Sequence, residues 1–176
     1  MAASSLGILL DLDDTLVLTS ELEPLRRGRR WSEVYAAFAK TSLPPGTHRF
    51  AAWLAELGRA GIVTSAPRRY AELLLAHHRL ALPVLVAYHD TVRHKPHPEP
   101  LLEAARRLAW PASGCVHVGD TATDDAAAAA AGMRSIRVGW GAEGDSAVRD
   151  WDDVLARLAP LGAPVIARAG GKGAGS

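Results

Sequence analysis

The 176-residue sequence lacks several features that would indicate a specialised class of protein. It has one cysteine, Cys115, which excludes a disulfide framework and a cysteine-ligated zinc site, so we expect a reducing, cytoplasmic location. Its formal net charge is only +1, which gives no reason to expect nucleic acid or an anionic membrane as a partner. The apolar run near the N-terminus is too short for a membrane span or a signal peptide, and no basic segment precedes it.

What the sequence does contain is ordinary for a globular protein. Hydrophobic residues make up 48% and charged residues 22%, and the chain is long enough to bury a core. We predict a single domain over residues 1–164. Residues 165–176, which end in GGKGAGS, are expected to be a disordered tail.

Short apolar runs alternate with segments whose apolar residues recur every three or four positions. The predicted strands cover residues 6–10, 62–63, 84–87, 115–118 and 135–138, and the predicted helices cover 31–40, 48–59, 67–78, 99–108, 123–131 and 151–158. Among the helix ends, we expect Thr47 and Asp150 to cap the helices that follow them and Gly61 to end one. The alternation predicts an α/β fold, a doubly wound and mostly parallel sheet with helices on both faces.

The first predicted strand runs directly into acidic residues. The segment LGILLDLDDTLVL, residues 6–18, delivers Asp11, Asp13, Asp14 and Thr15 immediately after its apolar half. Clustered carboxylates beside a buried strand are costly unless a cation, hydrogen bonds or solvent compensates them. Because ligands sit at the carboxyl ends of strands in such sheets, we predict a divalent-cation site here. A helix cap or a turn is the alternative interpretation.

Polar residues also follow the other predicted strands. Thr64 and Ser65 close the second strand, and Asp120 and Asp124 follow the fourth. Lys95 lies in the loop after the third strand. Right-handed crossovers align the ends of parallel strands along one edge, so these side chains are expected to converge.

These four clusters resemble, in order and in placement, the motifs of the haloacid dehalogenase-like hydrolase superfamily. Its DxDxT, strand-closing Thr or Ser, Lys–Pro and GDxxxD motifs are matched by residues 11–15, Thr64, Lys95 and residues 119–124. The KPHP run and the Ala-rich helix ending in Gly-Met look like the phosphoglycolate phosphatase and β-phosphoglucomutase branch. The resemblance implies a Rossmann-like α/β core.

The resemblance also implies the roles of the acidic residues. Asp11 would attack phosphorus and form an aspartyl-phosphate, and Asp13 would act as general acid and base. Mg²⁺ would be held by Asp11, the backbone carbonyl of Asp13 and Asp120, with Asp124 binding the ion or its waters.

Two polar clusters would serve the phosphoryl group. Thr64, with Ser65 as a possible partner, would donate a hydrogen bond to its oxygens, and Lys95 would offset its negative charge. Thr64 could instead only terminate a strand, and His94 or His97 could replace Lys95. A metal site made of the two histidines is disfavoured, because the carboxylate clusters suit an oxygen-loving cation.

The sequence departs from this branch between its first two motifs. Only about fifty residues separate Thr15 from Thr64, too few for a full helical cap domain. We therefore expect residues 21–45 to form a reduced cap or flap. Its four arginines would be a solvated face or a phosphate-attracting rim. The candidate rim residues are Arg26, Arg30, Trp31 and Tyr35.

The expected function is that of a Mg²⁺-dependent phosphatase that hydrolyses a phosphomonoester. The substrate would be a small phosphorylated metabolite or an exposed phosphate on a larger molecule, and a homo-oligomer with a partner subunit over the site is left open. The alternative is a non-catalytic or regulatory binding module. A dehalogenase is disfavoured because Asp13 would have no alkoxide to protonate, and a mutase because no cap would shield its intermediate from water.

Overall fold

A five-stranded parallel sheet forms the centre of the protein, in a computed structural model that describes residues 6–140 and 148–163. The strands are β1 (Gly7–Leu10), β2 (Ala60–Val63), β3 (Val84–Val86), β4 (Cys115–Gly119) and β5 (Arg134–Arg137). Their order in the sheet is β3-β2-β1-β4-β5, and every neighbouring pair is parallel. The predicted doubly wound α/β fold is confirmed.

Helices cover both faces of this sheet. They are α1 (Glu23–Arg27), α2 (Trp31–Ala36), α3 (Thr47–Leu57), α4 (Arg68–His77), α5 (Glu99–Arg107), α6 (Ala122–Ala130) and α7 (Trp151–Leu158). Helices α3, α4 and α7 pack on the face that carries Ile8 and Leu10, whereas α5 and α6 pack on the face that carries Leu9. Successive side chains of a strand point to opposite faces, so β1 contributes to both cores.

All six predicted helical segments contain a helix, although several ends differ. Thr47 is the first residue of α3 and not its cap, because its hydroxyl donates to the Pro44 carbonyl oxygen at 2.6 Å. The helix ends at Leu57 and is capped by Gly58, whose left-handed backbone suits a glycine, whereas Gly61 lies inside β2. Asp150 does cap α7, accepting the N–H of Asp153 at 2.8 Å.

The segment of residues 20–45, which lies between the first motif and α3, is short and helical. It contains α1, α2 and single turns of 3₁₀ helix at Ser20–Leu22 and Phe38–Lys40. Phe38 and Val34 are buried in the core on the α4 side of the sheet, and Trp31 packs against that core. The segment is therefore a close-packed insertion.

Some predictions fall outside the described residues. The tail at 165–176 does, as does the predicted end of the domain at residue 164. Within the described ranges, no helix is both long and apolar enough to cross a membrane.

Candidate active site

The register of the sheet brings the ends of β1, β2 and β4 to one edge. Leu10 pairs with both Ile62 and Val118, so the residues that follow these strands emerge side by side. The Asp11 N–H donates to the Val118 carbonyl at 2.9 Å, which fixes the start of the first motif against β4. Convergence of the predicted polar clusters is thus a consequence of parallel pairing.

A cleft of about 940 Å³ opens at this edge. All seven predicted site residues line it: Asp11, Asp13, Thr64, Ser65, Lys95, Asp120 and Asp124. The insertion contributes a further wall, formed by Glu23, Arg26, Arg27, Arg29 and Trp31. The cleft therefore lies between the sheet edge and the insertion.

Three carboxylates form a cluster on the floor of the cleft. Asp11, Asp120 and Asp124 each place one oxygen within 4.8 Å of the others, an arrangement that could hold a metal ion. Burial is the main cause that raises the pKa of Asp11 to about 7, and it also raises the pKa of Asp120. An all-oxygen donor set of this kind suits Mg²⁺.

Lys95 neutralises part of this charge. Its Nζ lies 2.6 Å from Asp11 Oδ1 and 2.6 Å from Asp124 Oδ1, and it donates to the Val63 carbonyl at 3.2 Å. Only 5% of its side chain is exposed. Burial alone would lower the pKa of Lys95, but the two carboxylates outweigh that effect and raise it. One ammonium therefore contacts two of the three carboxylates.

Asp124 is the most strongly fixed of these carboxylates. His117 Nε2 lies 3.0 Å from its Oδ1, and Thr121 donates to Oδ2 through both its hydroxyl, at 2.5 Å, and its N–H, at 3.1 Å. Thr121 caps α6, so the helix start carries Asp124 to the cleft. Burial opposes ionisation, but His117 and Lys95 hold the pKa of Asp124 well below its usual range.

Gly119 lets Asp124 approach β4 closely. A Cβ at Gly119 would lie 2.5 Å from the Asp124 Cγ atom and 2.8 Å from its Oδ2. Such distances are far below a van der Waals contact, so only glycine fits beside this carboxylate.

Asp13 is bound by groups from both the core and the insertion. Its Oδ1 accepts the Tyr70 hydroxyl at 2.6 Å and the Thr19 hydroxyl at 2.9 Å, and it also forms an ion pair with Arg26. Burial raises the pKa of Asp13, while the charge of Arg26 and these hydrogen bonds act in the opposite direction. The carboxylate is therefore oriented by three donors.

The turn after Asp13 is stabilised by Asp14. This residue adopts a left-handed backbone, with φ of 56°, and its Oδ1 accepts the N–H groups of Thr19 and Ser20 at 2.8 and 2.9 Å. Thr15 then donates its hydroxyl to Asp120 Oδ1 at 3.1 Å. The first motif is thus connected to both the insertion and the fourth motif.

Thr64 and Ser65 differ in their surroundings. Thr64 is buried, and its Oγ1 accepts the Ala66 N–H at 3.0 Å, which leaves its hydroxyl hydrogen for another acceptor. Ser65 is exposed on the cleft wall. Both can reach an anion in the cleft.

The insertion places only two of its four candidate rim residues on the cleft. Arg26 and Trp31 line it, whereas Arg30 forms an ion pair with Glu33. Tyr35 stacks against Trp31, with ring centroids 6.4 Å apart. Among the described residues that line the cleft, Arg30 and Tyr35 do not appear.

The two histidines beside Lys95 are engaged elsewhere. His94 stacks on Tyr88 with centroids 3.9 Å apart, and His97 Nδ1 accepts the Glu99 N–H at 3.2 Å. Within residues 6–140 and 148–163, the side chains that are grouped closely enough to hold a metal ion are those of Asp11, Asp120 and Asp124.

Sequence reasoning missed several contacts of the site. The predicted helix over 67–78 contains Tyr70 and the predicted strand over 115–118 contains His117, with no site role for either, but Tyr70 binds Asp13 and His117 binds Asp124. Thr19 and Thr121 were not singled out. A signal existed for Tyr70 and His117, because a buried phenol or imidazole requires a polar partner.

The chain is similar in sequence to known hydrolases. A family model described as haloacid dehalogenase-like hydrolase matches residues 20–132. Phosphoglycolate phosphatase of Xanthomonas campestris is 42% identical over 106 residues, which are 57% of this chain and 47% of the relative. The plasmid-encoded phosphoglycolate phosphatase of Cupriavidus necator is 39% identical over 125 residues, which are 68% of this chain and 54% of the relative. The chain spans about half the length of these curated relatives.

Solved structures share the fold at lower sequence identity. A HAD phosphatase from Thermococcus onnurineus superimposes with a TM-score of 0.70 at 22% identity, covering 86% of this chain and 97% of the other. CbbY from Rhodobacter sphaeroides, solved with phosphate, gives a TM-score of 0.65 at 21% identity, covering 83% and 92%. At these identities the likeness shows the fold.

Proposed function

Because the chain belongs to the haloacid dehalogenase-like hydrolase family, we propose that it is a Mg²⁺-dependent phosphatase acting on a phosphomonoester through an aspartyl-phosphate on Asp11. The observation that carries the proposal is the cluster of Asp11, Asp120 and Asp124, of which Asp120 is half-buried and the other two are buried, joined by Lys95 at 2.6 Å from two of the three carboxylates. This cluster has one cation for three acidic groups, and a divalent ion would correct that imbalance.

The donor set fits Mg²⁺. Asp11, Asp120 and Asp124 would hold it through carboxylate oxygens, together with the backbone carbonyl of Asp13. When bound, the ion would offset the repulsion between an anionic nucleophile and an anionic phosphoryl group. Lys95 contributes to the same end from the protein itself, since its ammonium already contacts Asp11.

The first chemical step is transfer of the phosphoryl group to the enzyme. An Asp11 oxygen attacks phosphorus, and the bond from phosphorus to the ester oxygen breaks with its electron pair left on that oxygen. Asp13 gives its proton to the leaving oxygen and becomes a carboxylate. Thr64, and Ser65 from the exposed wall, donate hydrogen bonds to the phosphoryl oxygens.

The second step returns the enzyme to its starting state. Asp13 takes a proton from water, whose oxygen attacks phosphorus. The bond between phosphorus and Asp11 then breaks, which releases inorganic phosphate and restores the Asp11 carboxylate. Asp13 is protonated again and ready for the next substrate.

We assign the reaction to a single domain over residues 1–164, with residues 21–45 as its reduced cap. Two of its arginines differ in their partners: Arg27 forms an ion pair with Glu23, whereas no acidic partner reaches Arg29 among the described residues. A guanidinium on the cleft wall would favour a substrate with a second anionic group. Phosphoglycolate, named in the relatives, carries such a carboxylate and is the first substrate to test.

The test of this function is the Asp11→Asn variant with 4-nitrophenyl phosphate and Mg²⁺. We expect turnover to be abolished while the circular dichroism spectrum is unchanged, because an amide is not a nucleophile toward phosphorus. Asp125→Asn is the matched control, since Asp125 pairs with Arg137 outside the carboxylate cluster.

The reaction with 4-nitrophenyl phosphate is then quenched with acid, and the mass of the protein is measured. The wild type should carry one added phosphoryl group and Asp11→Asn should carry none. EDTA should stop turnover and Mg²⁺ should restore it. Near-full activity of Asp11→Asn would refute the mechanism, and Mg²⁺ binding with no turnover of any ester would favour the regulatory module.

A further inference from the structure

Asp13 receives all its described side-chain hydrogen bonds on one oxygen. Thr19, Tyr70 and Arg26 all donate to Oδ1, and none of these three hydrogen bonds goes to Oδ2. The donors also contact each other, since Arg26 Nη1 donates to Thr19 Oγ1 at 3.0 Å and to Tyr70 Oη at 3.3 Å. The result is a closed network around a single carboxylate oxygen.

Tyr70 holds this network in place from the core. It is fully buried on α4, and its ring lies 6.0 Å from that of Trp31 and 5.8 Å from that of Phe38, both in the insertion. The Arg26 guanidinium also lies over the Tyr70 ring, 5.3 Å from its centroid. One side chain therefore contacts both the reduced cap and Asp13.

We propose that Tyr70 is a positioning residue of the reaction, which orients Asp13 and docks the reduced cap against the core. An oxygen that already accepts three donors has little room for a proton of its own, so the proton that Asp13 exchanges is carried on Oδ2. From Oδ2 the proton passes to the ester oxygen as the phosphorus–oxygen bond breaks and the phosphoryl group joins Asp11. This role rests on the proposed function, because it assumes that Asp13 is the acid.

Two aryl esters with leaving groups of very different basicity distinguish this role from a general structural one. 2,4-Dinitrophenyl phosphate loses a stable anion and needs little help from an acid, whereas phenyl phosphate loses a far more basic one. The value of kcat/KM reports the steps up to loss of the phenol. In Tyr70→Phe we expect kcat/KM to fall roughly ten- to hundredfold for phenyl phosphate and by less than about threefold for the dinitrophenyl ester.

Tyr35→Phe is the matched control, because it removes a hydroxyl from a neighbouring ring that stacks on Trp31 but is not among the described residues lining the cleft. It should leave the kcat/KM of both esters unchanged. Equal losses on both esters in Tyr70→Phe, or no loss on either, would overturn the positioning role.

A double-mutant cycle tests the contact without turnover. Tyr70→Phe should lower the melting temperature more in the wild-type background than in Asp13→Ala, where the acceptor is gone and the Tyr70 hydroxyl keeps only its contact with Arg26. The same shift in both backgrounds would overturn the contact itself. A wild-type protein that hydrolyses neither ester would overturn the proposed function and the catalytic part of this inference, while the cycle would still decide the contact.

Discussion

Replacing Lys95 by methionine should destabilise the protein strongly when no metal is added. Methionine keeps an unbranched side chain of similar length but removes the ammonium that lies 2.6 Å from both Asp11 and Asp124. The Lys95 side chain is 5% exposed and those of its two partners are 10% and 3% exposed, so solvent cannot replace the lost contacts. The variant would leave buried carboxylates facing each other.

The magnitude follows from the buried geometry. Removing one partner of a buried ion pair costs about 3–5 kcal/mol. The lower end applies here, because burial already raises the pKa of Asp11 to about 7 and this carboxyl can take up a proton in place of the lost cation. A loss of about 3 kcal/mol corresponds to a melting temperature lower by roughly 6–12 °C for a domain of this size.

The assay is thermal unfolding at neutral pH, with EDTA and then with Mg²⁺. Lys40→Met is the matched control, because Lys40 is exposed and the same substitution there should change the melting temperature by no more than about 2 °C. Mg²⁺ should narrow the gap between Lys95→Met and the wild type, since the ion binds the carboxylates that the substitution exposes to each other. An unchanged melting temperature in EDTA would refute the interpretation of Lys95 as the charge that holds this cluster together.

Three further substitutions test other parts of the structure. Gly119→Ala places a Cβ 2.5 Å from the Asp124 Cγ atom and should lower kcat by about 100-fold, measured with 4-nitrophenyl phosphate. Burial alone would raise the pKa of Asp90, but a backbone N–H and Arg68 lower it. Asp90 therefore stabilises the fold above about pH 4, and this contribution is lost as the pH falls through the depressed pKa of the folded state. Asp90→Asn should therefore cost about 1 kcal/mol in urea unfolding at pH 7 and less at pH 3. Arg29→Asn, which tolerates the φ of 53°, should raise the KM for phosphoglycolate about tenfold without changing that for 4-nitrophenyl phosphate.

Two of these predictions, those for Gly119 and Arg29, have a control on the same chain. Gly58→Ala meets no atom within 4 Å but has a φ of 67°, so it should lose stability and keep its kcat. Arg30→Asn removes an exposed arginine that pairs with Glu33 and should leave both KM values unchanged. A normal kcat for Gly119→Ala, a pH-independent deficit for Asp90→Asn or equal KM changes for Arg29→Asn would contradict the corresponding argument.

The carboxylate cluster shows why much of the candidate site can be predicted from sequence. A buried strand has an apolar run, and Asp11 follows such a run directly, as Asp120 follows another. Parallel strands in register must end at the same edge, so residues 109 positions apart, Asp11 and Asp120, meet without any knowledge of side-chain packing. Helix ends were less predictable, because Thr47 and Gly61 are residue types that serve in several local structures.

The sequence alone determined the α/β fold, the strand ends that carry the acidic residues and the shortness of the segment between the first two motifs, because these depend on periodicity and spacing along the chain. Only the tertiary structure decided which buried side chains contact those acidic residues. Tyr70 and His117 have the burial expected of core residues, and nothing in their spacing separates a phenol packed in the core from one bound to Asp13. That distinction depends on how α4 and the insertion pack beside β1, and packing joins residues that are remote in sequence.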